Sequence, residues 1–331
     1  MAPRESHVNS RRRFRAPFAS DSEGALVHSY RLVRRSMVAV AMCISACIAA
    51  SCSARDRGGA RGAVLVDDFG DTIVVAAVPQ RVVSLNPATT ELVFALGASA
   101  RLVGRSRWDT YPDSATLVPS VGDGMRPNIE AVLGVRPDLV LLYASEENRA
   151  ARDAFRRAGI ATLTQRVDRS DEFARAVVAL GIVLGDSARG AAVRDSVLAS
   201  LDRARSLTRD LPRVRVVWPL WDAPLMAVGR GSFLNELIDA AGGENIFVDL
   251  DAPSPQVTFE EVIRRDPDAI LAAPTSAARM RADPRWRALR AVRNGRIIAY
   301  DTTLVGRPGV RLGEAALHLA RVLHPERSIS R

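Results

Sequence analysis

The chain has 331 residues, 47% of them apolar and 25% charged, with a formal net charge of +9. That length allows about two domains with sizeable cores. Lysine is absent, so a Walker A loop and a Schiff-base lysine are excluded. Acids and arginines interleave along the body and form no basic stripe, so no nucleic-acid partner is expected. The histidines, His7, His28, His318 and His324, lie towards the two ends. No histidine metal site and no Ser-His triad is therefore expected mid-chain.

Residues 1–52 read as a leader. Met37 to Ala50 is apolar and follows Arg34-Arg35, the charged and apolar regions of an export signal, and it is short for a membrane span. Ala49-Ala50-Ser51-Cys52-Ser53 resembles a bacterial lipobox, with Cys52 as the lipidated residue; Ile44-Ser45-Ala46-Cys47 is the alternative. Arg34-Arg35-Ser36-Met37 also resembles a twin-arginine signal. The three cysteines, Cys43, Cys47 and Cys52, all fall in this region, so the body carries neither disulfide nor thiol. Residues 53–62 are rich in Arg, Gly and Ala and read as a tether.

Residues 63–169 read as an N-terminal α/β lobe. Val64 to Val75 alternates apolar and polar around Asp67-Asp68-Phe69-Gly70-Asp71, a hairpin with Gly70 in the turn. Arg81 to Leu85 is a buried strand, and a helix follows from Asn86 through Leu96 with Gly97 as its stop. Such a strand-to-helix turn lies at the carboxyl edge of a sheet, where open α/β sheets bind ligands. A strand starts at Leu102 and leads to an aromatic loop, Trp108-Asp109-Thr110-Tyr111-Pro112.

Asn128 to Leu142, NIEAVLGVRPDLVLL, returns as Thr258 to Ala272, TFEEVIRRDPDAILA, at an offset of 130 residues. The offset is too long for one solenoid unit, so two related domains each carry a copy. In each copy a short amphipathic helix (Ile129, Val132, Leu133; Phe259, Val262, Ile263) ends before a proline and leads into an apolar strand. Glu130 and Glu260 occupy the same place in the two copies. Helix 146–158, stopped by Gly159, and strand 161–163 complete the first half.

Residues 170–209 read as a helical connector, one helix over 171–184 and a second over 186–207, about 33 Å long at 1.5 Å per residue. Residues 210–331 read as the C-terminal α/β lobe. It has a strand over 214–218, a loop over 219–224 carrying Trp221, a helix over 233–241 capped by Ser232, the second repeat copy, a helix around Trp286, a strand over 296–300 and a last helix over 310–323. The fold expected is thus α/β, with two Rossmann-like lobes, each on a mainly parallel sheet, joined by a long rigid helix.

From Val64 to Pro325 the chain resembles the cobalamin and iron-chelate substrate-binding proteins of ABC importers. The residues that carry the resemblance are Arg81 to Leu85 with Thr90-Glu91-Leu92, Tyr111-Pro112, Asn128-Ile129-Glu130 with Pro137 to Val140, Gly242 to Phe247, Pro255-Gln256-Val257 and Pro267-Asp268. It implies that Glu130 and Glu260 dock onto the permease, one from each lobe. A helix-terminus role alone is the other reading of these glutamates. The resemblance further implies a cleft lined by aromatics. Trp108 and Tyr111 match, while Gly124, Ser254 and a position near Leu304 stand where cobalamin-binding members carry tryptophan. Trp218 and Trp221 are candidates from the second lobe, with core packing the alternative for Trp218. Trp286 is expected in the core. Arg307 is a candidate for an anionic ligand, with solvation the alternative. The expected function is a substrate-binding lipoprotein that captures a corrinoid between two lobes and delivers it to a permease dimer with its ATPase. A ferric siderophore or haem is the alternative small-molecule metal chelate. No catalytic residue, cofactor or resident metal is expected. The protein is expected to be periplasmic, membrane-tethered by its lipid and monomeric when free. An exported hydrolase is the other class. Its only support is Gly185-Asp186-Ser187, at a helix junction with no GxSxG elsewhere.

Overall fold

The structure is a computed structural model that describes residues 63–326. The leader, the tether and Cys52 lie outside the described residues. The first element is an antiparallel hairpin, β1 (Ala63–Val66) and β2 (Thr72–Val75). Its turn is fixed by Asp67, whose carboxylate accepts the N–H groups of Phe69 at 3.0 Å and Asp71 at 2.9 Å, and by Gly70 at φ +82°.

The first lobe is built on β3 (Val82–Ser84), β4 (Leu102–Arg105), β5 (Leu139–Tyr143) and β6 (Ala161–Gln165). All pairings are parallel and the order is β4-β3-β5-β6. The second lobe starts with β7 (Val214–Val217), a small antiparallel hairpin of β8 (Pro219–Asp222) and β9 (Leu225–Ala227), then β10 (Gly243–Asn245), β11 (Ala269–Ala272) and β12 (Ile297–Ala299). Its parallel sheet has the order β10-β7-β11-β12. Both sheets thus follow one scheme, with the strand of the sequence repeat third in line. The internal repeat extends to the topology of the whole lobe.

β11 and the first four residues of β5 are apolar because helices cover both faces of each sheet. Val82, Leu139 and Leu141 point to one side of the first sheet, while Val83, Val140 and Leu142 point to the other, with Phe155. In the second sheet Val216, Ala269 and Leu271 face the same large core as Val82. Val217, Ile270 and Ala272 face a separate core with Phe247 and Trp286. That large core runs through both lobes and the helices between them, Ser170–Val183 and Ser187–Thr208. The second has 22 residues, and Asp186 caps it by accepting from Arg189 N at 2.8 Å. These two helices meet at glycines: a Cβ on Gly181 would lie 2.8 Å from the Gly190 Cα. Only glycine at that crossing lets the backbones come so close. Buried residues run along both helices, from Phe173 to Val183 and from Gly190 to Thr208.

In each repeat copy the residue before proline leaves the right-handed helical region, as expected. It does so into the left-handed one, with Arg136 at φ 47° and Asp266 at φ 38°. One sequence expectation differs in detail. The stretch 219–224 forms most of the β8–β9 hairpin, with Pro219 at a strand start, where no ladder N–H is needed. Gly243–Asn245, within the motif Gly242 to Phe247, adds an edge strand to β7.

Candidate ligand cleft and docking face

All strands of both sheets run parallel, so each lobe gathers its carboxyl-end loops at one edge. In the first lobe β3 leads to Asn86, whose side chain accepts from Ala88 N at 3.0 Å and starts the helix Pro87–Ala95. β4 leads to Ser106 and Trp108, and β5 ends at Tyr143. Together with Leu85, Pro87, Gly124 and Met125 they line a cavity of about 200 Å³. Trp108 is 57% exposed and Met125 49%, so two large apolar groups stand uncovered at its mouth. Gly124 cannot carry an aromatic side chain here, because a Cβ would lie 1.9 Å from the Leu85 carbonyl oxygen.

A buried polar network holds this loop from beneath. Asp109 is fully buried and accepts from Thr90 Oγ1 at 2.5 Å, Ser106 Oγ at 2.5 Å and Ser106 N at 3.1 Å. Burial pushes its carboxyl above the ordinary range, against the pull of those hydrogen bonds. Beside it the Arg107 guanidinium lies 5.1 Å from the Trp108 ring centroid and bonds to Asp123, holding that carboxyl down at about 2. The Tyr143 hydroxyl donates to both oxygens of Asp168, at 2.8 and 2.7 Å. Burial first, then Asp168, pushes the phenol pKa up, so Tyr143 serves as a protonated donor.

The other sequence candidates are placed as follows. Tyr111 is half-buried, with the Arg311 guanidinium 3.7 Å from its ring centroid. Trp218 is 1% exposed and packs against Tyr300 with ring centroids 4.7 Å apart, so its indole offers a ligand no open surface. Trp221 is 63% exposed on the β8–β9 hairpin. It lines a different cavity of about 350 Å³ with Leu220, Ser276 and Arg279, and the two cavities share no lining residue. Trp286 is buried against Phe259, as expected of a core residue. Arg307 is part-buried, with its side chain 23% exposed, and its Nε donates to Glu91 Oε1 at 2.7 Å. Sequence reasoning missed Glu91, Met125, Tyr143, Asp168 and Arg311. Glu91 stood inside a quoted motif, but its partner lies 216 residues away, and no local spacing signals such a pair.

Glu130 and Glu260 are both exposed, and each is the second residue of its helix, Ile129–Gly134 and Phe259–Arg265. Asn128 and Thr258 cap the two helices alike, accepting from Ala131 N at 3.0 Å and Glu261 N at 3.2 Å. Neither glutamate pairs with an arginine among the described residues, whereas the adjacent Glu261 is taken by Arg264 and Arg265.

Among the described residues no group of His, Cys, Asp and Glu side chains could hold a metal ion, and no helix is long and apolar enough to cross a membrane. Residues 82–304 match the family model described as "Periplasmic binding protein". A cobalamin-binding protein of Halobacterium salinarum is 32% identical over 277 residues, covering 78% of this chain and 73% of that protein. An ABC transporter substrate-binding lipoprotein of Bacillus subtilis, YvrC, is 29% identical over 275 residues, covering 80% of this chain and 86% of its own. Among solved structures, the periplasmic haem-binding protein RhuT of Roseiflexus superposes with a TM-score of 0.68 at 26% identity, covering 74% of this chain and 98% of that one. The chain therefore belongs to the periplasmic binding protein family, the extracytoplasmic substrate-binding components of ABC importers.

Proposed function

We propose that the chain captures a corrinoid between its lobes and delivers it to an importer permease, itself doing no chemistry on it. The observation that carries the proposal is the apolar cavity at the carboxyl edge of the first sheet, with Trp108 and Met125 uncovered at its mouth. Its volume of about 200 Å³ takes only one edge of a macrocycle, so the rest of the ligand lies across the cleft. Trp108 and Tyr111 supply contact area from the first lobe and Trp221 from the second. Trp218 and Arg307 support the site from inside the fold. The sequence likeness to a cobalamin-binding protein favours a corrinoid; the structural likeness to a haem-binding protein favours haem as the second reading.

Glu130 and Glu260 serve as the docking carboxylates, one per lobe. Two equivalent groups on a pseudo-two-fold chain suit a two-fold partner, and charge complementarity orients the encounter. Lipidation of Cys52 tethers the otherwise monomeric protein to a membrane, in keeping with the lipoprotein among its relatives.

Fluorescence titration of the mature chain with cyanocobalamin, haemin and a ferric siderophore in parallel tests the ligand. Cyanocobalamin is expected to bind tightest. Trp108→Ala is expected to weaken it by about 2 kcal/mol, the size of an aromatic hot spot. A chain that ignores cyanocobalamin and binds haemin makes the second reading correct.

A further inference from the structure

The walls of the first-lobe cavity are fastened to the second lobe. Arg307, in the loop before the last helix Leu312–Leu323, donates to Glu91 at 2.7 Å and from Nη1 to the Trp108 carbonyl at 3.4 Å. Glu91 lies on the first-lobe helix Pro87–Ala95, and its side chain is 2% exposed. Arg311 follows and covers the Tyr111 ring at 3.7 Å. Between them a Cβ on Gly309 would come 2.5 Å from Glu91 Oε2, so a glycine permits this approach. The opposite wall shows the same arrangement. Tyr143 is tied to Asp168, and the Asp168 carbonyl accepts the N–H of Phe233, the first residue of the second-lobe helix Phe233–Ala240, at 3.0 Å.

We propose that Arg307 and Arg311 are positioning residues: from the second lobe they hold the Trp108–Tyr111 loop, through which Trp108 lines the cavity, so that pocket shape and lobe separation are one coordinate. The inference rests on the proposed function of that cavity. Glu91 is buried and Arg307 only partly, at 2% and 23% side-chain exposure, so removing Arg307 strands the Glu91 carboxylate away from water. Burial already raises the Glu91 carboxyl, with Arg307 pulling against it. Arg307 is thus engaged by the Glu91 carboxylate and Arg311 by the Tyr111 ring. A partner that spreads the lobes breaks the Glu91–Arg307 contact, frees the aromatic wall and releases the bound edge of the chelate.

The test has a ligand-free arm and a ligand arm. With Trp221→Phe as parent, Trp108 is the remaining exposed tryptophan, since Trp218 and Trp286 are 1% and 5% exposed. Acrylamide quenching then reads the Trp108 wall directly. Arg307→Gln and Glu91→Gln are each expected to raise quenching, and the double variant to raise it no further than either single change. Arg311→Leu, which strands no buried charge, is expected to do the same and covers the case in which the pair variants fail to fold. In the otherwise native chain, the same changes are expected to weaken whichever of cyanocobalamin or haemin binds by about tenfold, the cost of re-ordering one or two side chains. Unchanged quenching in variants with the parent's circular dichroism overturns the inference. So does an affinity that rises in Glu91→Gln, because a freed Arg307 would then be meeting the ligand. If the native chain binds neither probe, the proposed function fails while the quenching arm still decides the joint.

Discussion

Asp138 and Asp268 perform one task in the two lobes. Each follows the proline of its repeat copy, and each closes the start of the neighbouring strand segment. The Asp138 carboxylate accepts from Gln80 N at 2.7 Å and Arg81 N at 2.9 Å, and its own N–H donates to Arg81 O at 2.9 Å. The Asp268 carboxylate accepts from Arg215 N at 3.1 Å, and its N–H donates to Arg215 O at 2.8 Å. The two arginines are equivalent as well: Arg81 donates to the Arg136 carbonyl and Arg215 to the Asp266 carbonyl, at 2.9 and 3.2 Å. Asp138→Ala and Asp268→Ala should therefore each destabilise by about 1–2 kcal/mol, through lost carboxylate bonds to backbone N–H groups. Urea unfolding at neutral pH measures this. Because the sites lie in different lobes, the double variant should show the sum.

His324 gives the stability a dependence on pH. It is 2% exposed at the end of the last helix and lies over Gly242. Burial holds its pKa below the ordinary 6.5, with the exposed Glu326 opposing only in part. A depressed histidine leaves the folded chain binding fewer protons than the unfolded one. Its contribution is complete above pH 6.5 and is lost as pH falls through the folded value. Thermal midpoints at pH 8 and pH 5 are expected to fall less in His324→Gln than in the native chain. An equal fall in both assigns the acid sensitivity elsewhere.

The proposed lipid anchor is tested by two substitutions. Cys52→Ala should release the protein from the membrane fraction, while Cys47→Ala should leave it bound. The reverse result makes Cys47 the lipidated residue.

Much of the fold was legible in the sequence because its signals are local. Asn86, Ser232 and Asp186 announced helix starts by their side-chain chemistry, and Gly70, Gly97, Gly159 and Gly185 all adopt positive φ. The repeat announced two like lobes, since its strand must be apolar on both faces to be buried in each. The β8–β9 hairpin escaped because Pro219 and Pro224 argue against strands unless an edge is available. The candidate site was only half legible. Trp108 and Trp221 could be proposed as aromatics, and they are exposed. Whether Trp218 faced the cleft or Tyr300, and whether Arg307 faced solvent or Glu91, depends on contacts between distant segments, which no local pattern encodes.

In the proposed function, ligand capture and docking are separate properties of one chain. Ligand affinity and importer-driven uptake, measured together on Glu130→Ala, Glu260→Ala and the double variant, test that most directly. The account predicts affinity within about twofold of native, since neither exposed carboxylate touches the cavity. It also predicts uptake reduced by each single change, lost in the double, and worse for Arg than for Ala at either site. Affinity that falls in step with uptake would place the two glutamates in the cleft and contradict the account.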